Sequence, residues 1–411
     1  MRLAAVTLAL VLAACGPQAP ATIQAPDTTM VISSDPVLGN RVAELLPVLA
    51  RKAGMDLVRP VRVDRRSRQE LEAYLQFKLD RELPSERARH MVRSYALLGL
   101  MDSEVDLRGL LLSVYSEQVA GFYDPDSSAL FVLDDMPVEL LEPILVHELV
   151  HAVQDQTASL DSLTSQERGN DRQAAAQAAI EGHATLVMLE YMAEQLRGEP
   201  VDLSELPDFS QALGPALEGM RAQYPALAAA PAIVQESLLF PYLKGASYVA
   251  ALWKARPGRP APFGEHLPQS TEQIMDPVRA LGPEPDWPTE LEIVPQGDLE
   301  VLYENTLGQL ETEILLEEHM GPAARVLARG WDGDRYLLLR DPWGEEGLVW
   351  VSVWDSVGER DRFVEGLLPA LHRFPEPGTL RAAEILGRPG AILQVGALPQ
   401  LSLEIREGSP R

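Results

Sequence analysis

The sequence predicts an α+β fold: a mainly helical domain with a small sheet, then a smaller C-terminal α+β domain. Three observations carry that prediction. Apolar residues recur at helical spacing in four successive segments between residues 38 and 117. The period then shortens to that of strands over 118–133, and two long helix-forming runs follow. From residue 321 onward, short strand-like runs bounded by glycine surround a single helical segment.

The chain opens with a basic residue, Arg2, a short apolar core and small residues ahead of Cys15, the pattern of an export leader over 1–14. That core is too short to span a bilayer. Leu12-Ala13-Ala14-Cys15 resembles the bacterial lipobox, and Cys15 is the sole cysteine. The resemblance implies lipid attachment at Cys15 and an exported protein anchored to a bacterial membrane, on its periplasmic or cell-surface face. One cysteine permits no internal disulfide. Residues 15–36, rich in Pro, Ala, Thr and Ser, read as a flexible tether.

Helices are expected at 38–53, 67–79, 86–98 and 107–117. The net charge of −26 argues against nucleic acid and anionic lipid surfaces as partners. Arg59, Arg62, Arg65, Arg66 and Arg68 form a local basic run, read as a salt-bridged surface. Residues 118–123 and 129–133 read as two strands joined by the turn Asp124-Pro125-Asp126-Ser127-Ser128.

The hairpin leads into Pro143-Ile144-Leu145-Val146-His147-Glu148-Leu149-Val150-His151. Pro143 suits a first helical position. On a helix, residues four apart share a face, so His147 and His151 can reach one metal ion, with Glu148 beside the metal's open side. Catalytic zinc has three protein ligands and a water, so a third ligand is needed. The helix-forming run 172–196 carries Glu181-Gly182-His183-Ala184 in its middle, amid mostly small residues that would let this helix pack close to the motif helix. Gly182 costs about 1 kcal/mol in a helix interior, which close backbone contact would explain. Glu181 and His183 lie about 200° apart around an ideal helix, so only one of them can face the metal.

The pair His-Glu-Leu-Val-His and Glu-Gly-His-Ala resembles the gluzincin metallopeptidases. The resemblance implies a zincin-like domain over 37–320, Zn²⁺ held by His147, His151 and Glu181, and Glu148 as general base. It also implies a peptide or protein substrate, bound by strand addition at a sheet edge beside the motif helix. The chain departs from the thermolysin-like pattern at Thr185, where those enzymes carry an aspartate. Gln154 or Asp155 is then the candidate to orient a ligand histidine. The run from the hairpin onward also resembles uncharacterised bacterial metalloprotease-like lipoproteins. A second reading is a non-catalytic, metal-binding envelope lipoprotein acting as an assembly factor or binding module.

A helix expected at 240–254 carries Tyr242, Gly245 and Tyr248, and either tyrosine is a candidate oxyanion donor. Residues 255–295 are proline-rich, with a capped turn at 270–277. In the C-terminal domain, 321–411, strands are expected at 336–340, 348–353 and 391–395 and a helix at 360–373. Asp332 and Asp334 beside Gly333 read as a turn rather than a calcium loop.

Overall fold

The computed structural model describes residues 6–8, 30–205, 224–398 and 401–409, with only the backbone of 6–8, 138 and 139. Most of the leader, Cys15 and the tether up to residue 29 lie outside the described residues. The fold is α+β, as expected.

The expected N-terminal helices are α1 (Pro36–Lys52), α2 (Arg68–Glu82), α3 (Ser85–Leu97) and α4 (Leu107–Gln118). Local chemistry sets their starts. The Asp35 carboxylate accepts from Val37 N and Leu38 N, and Ser67 with Glu70 makes a reciprocal capping box on α2.

The first sheet is mixed. It comprises β1 (Val6–Leu8), β2 (Val31–Ile32), β3 (Val61–Arg66), β4 (Val119–Asp124) and β5 (Ala129–Leu133), in the order β1-β4-β5-β3-β2. β4 and β5 form the expected hairpin, Phe122 opposite Phe131, while β3 runs parallel to β5. The basic run is therefore partly a strand. Val61 and Val63 point into the core while Arg62, between them, faces outward. The salt-bridged reading holds for Arg59, Arg65, Arg66 and Arg68, which pair with Asp155, Asp35, Glu70 and Asp135. The expected tether also ends early, because Val31–Ile32 pairs with Val61–Arg62 and α1 starts at Pro36.

Behind this sheet lie α5 (Val138–Gln154), α6 (Asn170–Arg197) and α7 (Ala232–Ala255). α5 starts before Pro143, which sits inside the helix rather than at its first position. Gly198 ends α6 in the left-handed conformation, at φ 70°.

The C-terminal sheet is antiparallel, in the order β10-β11-β9-β8-β7. Its strands are β7 (Glu300–Asn305), β8 (Trp331–Arg340), β9 (Glu346–Trp354), β10 (Gly378–Ile385) and β11 (Arg388–Gly396). α8 (Gly308–Met320) and α9 (Val357–Leu367) pack on it, and β6 (Leu291–Pro295) pairs with β12 (Leu403–Glu407). β7, which precedes residue 321, pairs with β8 beyond it. One sheet face, with Tyr336, Leu338, Trp350 and Trp354, joins the same core as Val146 and Leu149 of α5. The other, with Leu337, Val349 and Val351, packs on Leu291 and Ile293. Among the described residues, no helix is long and apolar enough to cross a membrane.

Candidate metal centre

α5 is buried nearly all round, so its polar residues need partners within the protein. His147, Glu148, His151 and Gln154 are all at most 1% exposed. α6 supplies Glu181, also fully buried. The backbone of α6 approaches α7 closely at two glycines. A Cβ on Gly182 would lie 2.0 Å from the carbonyl carbon of Gly245, and a Cβ on Gly245 would lie 2.0 Å from Ala178 O. The close backbone approach at Gly182 is therefore real, but its partner is α7 and not the expected motif helix α5.

Glu181 Oε2 lies 3.1 Å from His147 Nε2 and 3.3 Å from His151 Nε2, and the two imidazole nitrogens are 3.0 Å apart. Two ligands each about 2.0–2.1 Å from a tetrahedral ion sit roughly 3.3 Å from one another, so the spacing fits. The donor set, two imidazoles and a carboxylate, is also one that suits zinc.

Without a cation the trio carries its own charge pair. Burial opposes ionisation of Glu181, but His151 and His147 outweigh it and hold the carboxyl down to about 2. Burial likewise opposes protonation of His151, yet the Glu181 carboxylate lifts it to about 9. His147 is pushed down, chiefly by burial.

Gln154, not Asp155, hydrogen-bonds a candidate ligand. Its Nε2 donates to Ile180 O at 3.0 Å, so its Oε1 faces His151 Nδ1 at 2.8 Å and accepts from it. That tautomer leaves the His151 Nε2 lone pair aimed at the centre. Asp155 instead pairs with Arg59 and accepts from the Tyr123 hydroxyl at 2.9 Å. Gln177 Nε2 donates to Glu181 Oε1 at 2.8 Å, fixing the third candidate ligand. This role was not read from the sequence, although the spacing of four residues could have suggested it.

His183 stands apart from the trio. Its Nδ1 lies 3.1 Å from Gln154 Nε2, its ring packs edge-on against Trp253 and Phe263, and burial pushes it down to about 3. Glu148 Oε2 accepts from Tyr123 N of β4 at 2.7 Å, a contact no sequence pattern signals, while Oε1 has no protein partner among the described residues. Burial pushes Glu148 up to about 8. Of the two tyrosines, Tyr248 is committed elsewhere, donating to His266 O at 2.7 Å. The Tyr242 ring lies 6.2 Å from that of His147.

A second acidic group gathers at Asp286, Asp332 and Asp355. Arginines already neutralise it: Arg279 pairs with Asp286 and Asp355, and Arg388 with Asp332 at 2.6 Å. Asp334 accepts from Leu307 N and Gly308 N at the start of α8. Both aspartates lie within β8, not in the expected turn.

Compared with known protein families, residues 299–391 match one described as a domain of unknown function (DUF8575). The match covers most of the C-terminal sheet with α8 and α9, and none of the residues of the trio. No curated protein and no solved structure matches the chain.

Proposed function

We propose that the chain is a zinc-dependent peptidase of the bacterial cell envelope, lipid-anchored through Cys15. The observation that carries the reading is the convergence of His147, His151 and Glu181 from two helices, with Glu148 on the same turn as His147. Zn²⁺ held by those three residues would supply a Lewis acid that acidifies water and polarises a peptide carbonyl.

The chain's own groups do the rest. Glu148 accepts a proton from the attacking water and returns it to the leaving amine. A buried carboxyl whose affinity for protons is raised suits both halves of that exchange. The Tyr123 N–H fixes Glu148 through Oε2, leaving Oε1 for the water. Gln154 and Gln177 hold His151 and Glu181 in orientation. Tyr242, beside His147, is the better placed of the two tyrosines to donate to the oxyanion. β4, which contacts Glu148, is bordered by β1, residues 6–8 of the leader; removal of the leader would free that edge for an extended peptide to run along.

The test is Glu148→Gln. Zinc content should be retained, while peptide hydrolysis falls by about 10²–10⁴-fold. Hydrolysis at the wild-type rate would remove the base assignment. A zinc-bearing wild type that cleaves no peptide would leave the second reading, a metal-binding assembly factor or binding module.

A further inference from the structure

α5 and α6 meet at the metal centre and again behind it. At the centre, Glu181 Oε2 lies 3.3 Å from His151 Nε2. Behind it, His151 Nδ1 lies 2.8 Å from Gln154 Oε1, and Gln154 Nε2 lies 3.1 Å from His183 Nδ1. Gly182 faces α7, so Glu181 and His183 leave α6 to either side of that contact, and both reach α5. The contacts therefore close a ring: Glu181, His151, Gln154, His183 and back along the α6 backbone. All four side chains are fully buried, so each polar group must find its partner within the protein.

The Gln154 amide has one oxygen and two hydrogens to place. Ile180 O can only accept, so the amide nitrogen lies on that side and spends one hydrogen there, at 3.0 Å. The second hydrogen goes to His183 Nδ1, which must then be bare, with the ring proton on Nε2. Trp253 and Phe263, both edge-on to the ring, make an apolar setting that favours this neutral form. An amide with both hydrogens engaged cannot turn over to offer one to His151.

We propose that His183 is a positioning residue for the metal centre. By accepting from Gln154 it locks the amide oxygen toward His151, which keeps the His151 proton on Nδ1 and leaves the Nε2 lone pair for the ion. The inference rests on the zinc trio of the proposed function and not on the peptidase activity. Glu181 and His183 then divide the work of one helix: the first is a ligand, and the second prepares a ligand on the neighbouring helix without touching the ion. Without His183, a Gln154 hydrogen is left unpaired in a dry site, and Ile180 O alone opposes rotation of the amide. Once rotated, the amide nitrogen would face His151 Nδ1 and drive the ring proton to Nε2, where the ion would bind.

The test is the zinc affinity of the full chain by chelator competition, in His183→Leu, His183→Asn, Gln154→Leu and the double variant His183→Leu with Gln154→Leu. Thermal melting of the metal-free proteins reads any purely structural cost separately. His183→Leu should weaken zinc binding by about tenfold or more. His183→Asn, whose Oδ1 can accept in place of Nδ1, should recover most of that loss. The double variant should bind zinc as Gln154→Leu does, because His183 acts only through that amide. Unchanged affinity in His183→Leu, an equal loss in His183→Asn, or losses that add in the double variant would overturn the assignment, while zinc binding by the wild type keeps the metal centre. If His183→Leu does not fold, His183→Asn decides: affinity close to the wild type's supports the assignment, and a loss as large as that of Gln154→Leu overturns it. A wild type that binds no zinc overturns the metal centre and the role of His183 together.

Discussion

Gly182→Ala tests whether helix crossing sets the geometry of the centre. The new methyl carbon would lie 2.0 Å from Gly245 C, 2.3 Å from Gly245 O and 2.4 Å from Ala246 N. Carbon contacts are comfortable from about 3.5 Å, so α6 and α7 must separate locally by roughly 1.5 Å. Both sides are backbone, so no rotamer change can relieve the clash. Alanine's better helix propensity returns about 1 kcal/mol. Overpacking costs about 1–3 kcal/mol and more where nothing can yield, so a net loss of about 2 kcal/mol is expected. Glu181 is the adjacent residue, and metal–ligand distances tolerate only about ±0.2 Å, so zinc affinity should fall as well. Thermal melting of the metal-free chain reads the first effect and chelator competition the second. A variant that melts at or above the wild type and binds zinc equally well would show that the crossing is not tight, and the argument from Gly182 would be wrong.

Other consequences follow from the same contacts. Gln154→Leu removes the acceptor for His151 Nδ1 and should weaken zinc binding about 10- to 100-fold, read by chelator titration, with little change in secondary structure. Glu311 is held protonated by burial up to about 8, against 4.5 for the free carboxyl. Between those values the unfolded chain has released a proton that the folded chain keeps. Stability therefore falls as pH rises, by at most about 1.4 kcal/mol per unit from this group. Glu311→Gln should flatten that fall, so that its melting temperature exceeds the wild type's at pH 8 more than at pH 5. An equal difference at both values would refute the buried-proton account. Asp334→Ala removes the acceptor at the N-terminus of α8 and should cost about 1 kcal/mol by denaturant unfolding.

The parts of the site legible in the sequence are those set by local period. His147, Glu148 and His151 share a helix, and their spacing alone predicted a common face. Glu181, rather than His183, came from the resemblance to the gluzincin pattern, while Gly182, an unfavourable choice in a helix, pointed only to a close contact. Which helix made that contact, α7 through Gly245, depends on pairing over 63 positions (182 to 245) that no local pattern encodes. Asp155 was a reasonable rival to Gln154, since both follow His151 at helical spacing. The tertiary position of Arg59 and Tyr123 draws Asp155 away. β3 was hidden by its arginines, because only Val61 and Val63 mark its buried face. β7 was hidden for a similar reason, as it is short and its partner β8 lies beyond α8. The cavity beside Glu181, lined also by Tyr95, Leu107, Leu238 and Leu310, draws on α3, α4, α6, α7 and α8, so it is a property of the fold and not of any one stretch.

The most direct test of the central claim is the zinc content of the purified full chain, prepared without chelator, beside that of Glu181→Ala. The account predicts close to one zinc per wild-type chain and a large loss in the variant. A wild type without zinc, even after reconstitution, or a variant that retains it fully, would contradict it.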